Sequence, residues 1–477
     1  MIRHYVWSAA RQWGQRLGTA LTFVILARIL SAQQIGLFSA ALAIMALAEL
    51  INENGTGEAV IRHRDATPGA IKALSLVNIA ASIVLSAGFF LFGSRIEALF
   101  GAPGLRPIVS ALSLVLLLNA FVYIPMAVLR RDMRFARLAR IGLGSTVLGS
   151  TVGIVAAIVG LGVWSLVAQA LVFAVSNVLQ MNLGGGARFT ATTDFRAARP
   201  LFTFGSLILL GNLLNYVSVR AVELALPYHY GPAILASYII GSRFYFIAAQ
   251  MVSAVLLEVG LSQMTATGLT PQRFNDLLAR ALRLGNLIGA LVFTGLAAVA
   301  QPFCTLLFGQ IGQSAWPFLV VTALAGNAFL LNANMSLGMK SVGHVGQVLL
   351  TAGAQAVIAA CVLLPRWPIT PVTRVTLVGA LPLCTIPIRA VLLRHATGFE
   401  VRRLIGVTAD SWIAAAAGLA ASWLVAGRLD SRLWPDLALS FIVRGATFLA
   451  VACVVWLLFA RWRGLRRPIG ALRQLFA

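Results

Sequence analysis

The sequence predicts an all-α protein that crosses a membrane about fourteen times, as two six-helix repeats followed by two extra C-terminal helices. Three observations carry this. Of the 477 residues, 59% are hydrophobic and 11% charged, whereas soluble chains average about a quarter charged. Apolar runs of about 18–25 residues, each able to cross about 30 Å of hydrocarbon, recur along nearly the whole length. The basic residues alternate between dense and sparse connections, as a repeatedly threaded chain requires.

In order, the runs place spans at 12–30, 36–57, 73–93, 107–128, 141–160, 163–183, 202–226, 232–257, 284–302, 315–337, 345–364, 371–388, 409–426 and 436–460. The dense connections hold Arg62, Arg64 and Lys72, then Arg130, Arg131, Arg134, Arg137 and Arg140, then Arg188, Arg196 and Arg199. The same side continues with Arg273, Arg280, Arg283, Lys340, Arg389, Arg394, Arg402 and Arg403, and it takes both tails. The opposite side has only Arg28, Arg95, Arg106, Arg366, Arg374, Arg428 and Arg432. The dense side is therefore expected in the cytoplasm with both termini. The basic tail from Arg461 to Arg467 reads as a topology anchor, with anionic lipid as its alternative partner.

The net charge of +23 does not indicate nucleic acid, because the cations sit in short loops between spans. Cys304, Cys361, Cys384 and Cys453 are scattered, without the spacing of a disulfide framework or a metal site, so neither metal nor cofactor is expected. The N-terminus from Met1 to Trp7 reads as an amphipathic lead-in to the first span, with no cleaved signal peptide expected.

An ordered self-similarity runs through the chain. Leu99-Phe100-Gly101 and Asn119-Ala120-Phe121 recur 208 residues later as Leu307-Phe308-Gly309 and Asn327-Ala328-Phe329. Thr67-Pro68 recurs as Thr270-Pro271, and Glu58 as Glu258. Repeats of six spans both begin on the same side, so an axis along the membrane normal should relate them, an arrangement of transporters with the site between the halves. The expected divisions are an N-terminal lobe, 1–200, a second lobe, 201–400, and two further helices with a basic tail, 401–477. Thr270-Pro271 is also expected to open a short amphipathic helix lying on the cytoplasmic surface, with Phe274, Leu277, Leu278, Ala281 and Leu282 as its stripe.

Several segments resemble the polysaccharide transporter family, the Wzx-type oligosaccharide flippases of the multidrug/oligosaccharidyl-lipid/polysaccharide exporter superfamily. Leu26-Ala27-Arg28-Ile29-Leu30-Ser31 with Ile35-Gly36-Leu37-Phe38 is similar to that family's first-loop signature. The run from Asn54 to Arg62 resembles the Gly-rich end of its second helix, Leu129 to Phe135 its basic loop after helix four, and Gly160 to Val167 its next turn. The resemblance implies two six-helix lobes, a cavity bounded by helices 1, 2, 7 and 8, and alternating access. It further implies movement of an undecaprenyl-diphosphate-linked oligosaccharide across the bacterial inner membrane, beside a polymerase and other glycan-assembly membrane proteins. The segment from Glu49 to Asn54 is more acidic than the family pattern.

Charges inside spans are costly and mark candidate sites. Asn212, Tyr216, Arg220 and Glu223 step by four, four and three residues on helix 7, one polar face. Arg243 and Gln250 share a face of helix 8, and Glu49 and Glu53 lie one turn apart on helix 2. A diphosphate needs fixed positive charge, which the planar guanidinium offers. Arg220 and Arg243 are therefore the first substrate candidates, with Asn212, Tyr216, Gln250 and Arg28 beside them. Arg220 has the alternative of pairing with Glu223, Arg243 of bridging the lobes, and Arg28 of snorkelling to the interface. Glu49, Glu53 and Glu223 are candidates for coupling to a proton or sodium, since a desolvated carboxylate seeks one or the other, or for closing the empty cavity against the arginines. Arg444 is expected as an anchor at the outer end of its helix, and Asn119 and Asn327 as interhelical hydrogen bonders. Ser145, Gly149, Gly153 and Ala157 form a small-residue stripe for close packing.

Four other readings compete. A membrane enzyme of glycan assembly needs acid–base groups, and the outer connections at 92–107 and 301–315 hold few ionisable groups and no histidine. An ion-coupled drug exporter of the same superfamily would favour the acidic residues, and a lipid II flippase is a nearer relative. A non-transporting scaffold leaves the buried charges without purpose. Lipopolysaccharide O-antigen, capsule and exopolysaccharide pathways are not separable at this level.

Overall fold

The computed structural model describes residues 2–462 apart from 54, 64–65, 133, 184–192, 265–270, 343 and 427–433. Among these residues the chain is helical throughout, with no strand. The order is α1 (Ile2–Ile29), α2 (Ala32–Glu53), α3 (Thr56–Arg62), α4 (Pro68–Phe100), α5 (Leu105–Arg131), α6 (Phe135–Ile158), α7 (Trp164–Leu183) and α8 (Phe195–Tyr230). It continues with α9 (Pro232–Met264), α10 (Pro271–Ala298), α11 (Ala300–Phe308), α12 (Gln310–Ser341), α13 (Val345–Leu363), α14 (Pro371–Thr397), α15 (Val401–Ala426) and α16 (Trp434–Trp462). Among the described residues, twelve helices are long and apolar enough to cross a membrane: α2, α4 to α7, α9, α10 and α12 to α16. The expected spans fall on these helices, with 36–57 running across α2 and α3 and 284–302 across α10 and α11; those on α1 and α8 lie outside the twelve.

Local chemistry sets the helix ends. The Thr67 hydroxyl accepts from the Ala70 N–H and Pro68 opens α4; Thr370 accepts from Thr373 and Pro371 opens α14. Gly101 (φ 55°) ends α4 and Gly309 (φ 61°) ends α11, so the repeated Leu-Phe-Gly marks a helix stop in each half. Another echo is visible only in three dimensions. The Arg134 N–H donates to Leu129 O at 2.9 Å between α5 and α6, and the His344 N–H to Met339 O at 3.0 Å between α12 and α13.

Two expectations are corrected. The span at 36–57 is not one helix: α2 stops at Glu53, Gly55 takes φ 60°, and α3 restarts at Thr56. The Thr56 hydroxyl donates to Glu53 O at 2.6 Å, satisfying a carbonyl the break releases. The short surface helix at 270 is absorbed into α10, which runs unbroken from Pro271 to Ala298. Its stripe residues Phe274, Leu278 and Leu282 are buried against Leu331, Met335 and Met339 of α12 and Leu393 of α14. Thr270 and the tail from Arg463 lie outside the described residues.

The chain forms two compact units, 1–236 and 237–477. The first includes α8, which packs on α2, α3 and α4, although the repeat counts this helix as the head of the second half. Lipid tails are as apolar as leucine, so helices associate through close packing and interhelical hydrogen bonds. Both appear in unit 1. A Cβ on Gly153 would lie 2.8 Å from Gln169 Cβ, and one on Gly149 3.0 Å from Gln169 O, so the small stripe brings α6 onto α7. A Cβ on Gly36 would fall on the Pro232 carbonyl, which explains the glycine of the first-loop signature.

Candidate functional site

The polar residues of unit 1 gather at the last turns of α2. Glu49 is half-buried, and its Oε1 accepts from the Asn119 amide of α5 at 2.9 Å. Tyr123 lies one turn further along α5, in the field of Glu49 and Glu53. Glu53 is half-buried and faces α3, where a Cβ on Gly57 would stand 3.2 Å from its Oε1. Between the two acids, Asn52 is fully buried and neither atom of its amide meets a hydrogen-bond partner among the described residues. The Asn78 amide of α4 donates to Thr56 at 2.9 Å. Two carboxylates, three amides and a phenol thus line the place where α2 breaks.

On α8, Arg220 and Glu223 form an ion pair through Arg220 Nη1 and Glu223 Oε1. Glu223 is buried, while Arg220 keeps 47% of its side chain exposed. The side chains of Asn212 and Tyr216 lie outside the described residues. Arg28 is exposed in the last turn of α1. In unit 2, α9 carries Arg243, half-buried, and Gln250, exposed. Asn327 of α12 donates to Thr294 of α10 at 3.1 Å, so Asn119 and Asn327 both bond across helices as expected, though to non-matching neighbours.

Three buried arginines were not legible as such. Arg389, assigned by sequence to a cytoplasmic loop, is 6% exposed inside unit 2. Its Nε donates to Thr351 of α13 at 3.1 Å, and its Nη1 to Asn332 O at 3.1 Å and Ser336 Oγ at 2.7 Å, both of α12. Arg374, counted as an outer-loop cation, folds back from the first turn of α14 onto the carbonyls of Leu363, Pro365 and Trp367 at 3.1–3.2 Å. It thereby gathers the connection that leaves α13. Arg444 is not an interfacial anchor: it is 6% exposed and donates to Gln301 Oε1 at 3.2 Å. The signal for Arg444 was its place ten residues inside the apolar run of α16. Arg374 and Arg389 sit too near their span ends to signal anything.

Helical units with charged and amide side chains held inside their membrane-crossing helices define a polytopic carrier-type fold. Comparison with solved structures agrees: an inward closed conformation of the lipid II flippase MurJ superposes with a TM-score of 0.73, covering 97% of this chain and 100% of that one at 13% identity. An inward-facing multidrug resistance MATE family transporter of the MOP superfamily follows with a TM-score of 0.57 over 87% and 99%, also at 13% identity. Residues 25–316, more than half of the chain, match the family described as polysaccharide biosynthesis protein, and the chain belongs to that family. The succinoglycan biosynthesis transport protein ExoT of Rhizobium meliloti is 26% identical over 348 residues, 72% of this chain and 70% of that protein. The lipopolysaccharide biosynthesis protein WzxC of Escherichia coli is 22% identical over 63% of this chain, which spans 62% of that protein's length.

Proposed function

We propose that this protein carries a lipid-linked oligosaccharide, borne on undecaprenyl diphosphate, from the inner to the outer leaflet of the bacterial inner membrane by alternating access. The observation that carries the reading is the family match over residues 25–316, supported by a relative named as a biosynthesis transport protein. Both termini lie in the cytoplasm on this reading, and a polymerase and other glycan-assembly proteins work beside it. Arg220 and Arg243 take the diphosphate, with Asn212, Tyr216, Gln250 and Arg28 as further contacts. Glu49, Glu53 and Glu223 couple the movement to a proton or sodium. The Arg220–Glu223 pair supports an exchange in which substrate phosphate replaces the carboxylate, because 47% of the Arg220 side chain is exposed.

The direct test measures, in oriented vesicles with and without the protein, which leaflet holds the lipid-linked glycan. Protein-dependent appearance in the outer leaflet is expected, and loss of it in the Arg220→Gln/Arg243→Gln double variant with insertion intact. Full transport by that variant removes the two arginines from the site. Glycan retained inside, with protein and substrate both present, turns the reading to a cation exporter. The half-buried Glu49 and Glu53 beside Tyr123 favour that alternative.

A further inference from the structure

A groove of about 840 Å³ runs between α6 and α7 on the surface of unit 1. Its walls are aliphatic, with Val147 and Leu148 of α6 and Val175 and Leu179 of α7 all 42–63% exposed. Two features distinguish it from a bare lipid-facing surface. Its floor is fixed: the Gln180 amide donates to Ser145 Oγ at 3.1 Å and Ser176 Oγ at 2.7 Å, so its position is pinned, and the surface left to the groove is almost wholly apolar. Gly144 lets α6 come close onto this amide; a Cβ there would stand 3.1 Å from Gln180 Oε1.

The second feature is a charge at one end. Arg140 precedes Leu143 and Gly144 by three and four residues and Val147 by seven, which puts it on the groove's own stripe of α6. It is exposed and meets no partner among the described residues. Helical side chains lean towards the N-terminus, so its guanidinium reaches towards the polar end of the helix, where headgroups lie. From Arg140 to Leu148, or from Leu171 to Gln180, the groove runs about 12–14 Å at about 1.5 Å per residue. That is close to half of the about 30 Å hydrocarbon core, the depth of one leaflet.

We propose that this groove holds one anionic phospholipid of the leaflet adjoining the Arg130–Arg140 loop, its phosphate on Arg140 and its acyl chains along the α6/α7 walls. It is a resident lipid site between α6 and α7 and is separate from the transported lipid; it rests only on the chain being a membrane protein. Charge complementarity selects an anionic headgroup, one-leaflet length selects a lipid over a spanning partner helix, and the exposed aliphatic walls take the chains.

The test is native mass spectrometry of the full-length protein, titrated with phosphatidylglycerol and with phosphatidylcholine of identical acyl chains. The first phosphatidylglycerol is expected to bind about fivefold more tightly than phosphatidylcholine, the effect of one basic residue near an anionic headgroup. Arg140→Gln should abolish that preference. Arg134→Gln, in the same loop but off the stripe, should preserve it. Val175→Trp, which fills the groove from its exposed wall without touching the charge, should weaken both lipids. The proposal fails if the native protein shows no preference, if Arg134→Gln erases it as fully as Arg140→Gln, or if undecaprenyl phosphate displaces phosphatidylglycerol at equal concentration, which would assign the groove to the transported lipid.

Discussion

Arg389 allows a prediction in which the conservative substitution is the worse one. Its guanidinium is buried in unit 2 and held by three uncharged oxygens at 2.7–3.1 Å. Three hydrogen bonds from a charged donor contribute about 1.5–3 kcal/mol each. Against them stands the desolvation of a buried ion, which in proteins remains several kcal/mol after relaxation. The two nearly cancel. Arg389→Met removes both and fills similar length with an adaptable side chain. It also orphans nothing, because Thr351 still donates to Val348 O at 2.9 Å and Ser336 to Asn332 O at 2.7 Å. The Met variant should therefore stay within about 1.5 kcal/mol of the native protein. Arg389→Lys keeps the charge on a shorter, more strongly hydrated head and cannot reproduce the fork that joins α12 to α13. It should lose about 2 kcal/mol or more. Thermal unfolding in detergent, followed by tryptophan fluorescence, gives the order. A Met variant destabilised as much as the Lys variant would refute the reasoning. A Met variant that is stable but inactive in leaflet transport would show that the charge itself serves the cycle.

The other predictions rest on single geometric facts. Gly36→Ala drives a Cβ into the Pro232 carbonyl and should cost at least about 1–3 kcal/mol, because backbone cannot yield as a side chain does. Gly88→Ala in α4 meets nothing within 4 Å and should stabilise by about 0.5–1 kcal/mol through backbone entropy. The two variants, compared by unfolding temperature, should shift in opposite directions. Arg374→Ala removes the guanidinium from the Leu363, Pro365 and Trp367 carbonyls, of which Trp367 O keeps the Ile369 N–H, and should cost about 3 kcal/mol, with faster proteolysis at the α13–α14 connection as the readout. Glu49→Gln keeps an acceptor for Asn119 and should leave the unfolding temperature within a few degrees while abolishing gradient-driven transport. Unchanged transport would remove Glu49 from ion coupling.

The candidate site was legible as a list of residues and far less as an arrangement. Arg220 and Glu223 could be paired from their spacing alone, because i,i+3 neighbours meet on any helix. The bond between Glu49 and Asn119 joins residues 70 positions apart, and no local pattern announces it. Tyr123 went unnoticed for the same reason: an aromatic residue in an apolar run looks like packing until the acids of α2 are placed beside it.

By itself the sequence determined the membrane class, the placement of the helices and the small-residue seam of α6. Each follows from a local rule: a lipid-buried backbone must bond within its own helix, and 3.6-residue periodicity fixes which residues share a face. Only the tertiary structure decided the environment of charges near span ends. A cation there turns either to water or inward, according to whether oxygen atoms from distant helices await it. Arg389 turns inward because Asn332, Ser336 and Thr351 converge on it, whereas Arg140 turns outward beside a groove that α6 and α7 form together. The break at Gly55 was equally hidden, since an apolar run records that a segment is buried and not whether its axis stays straight.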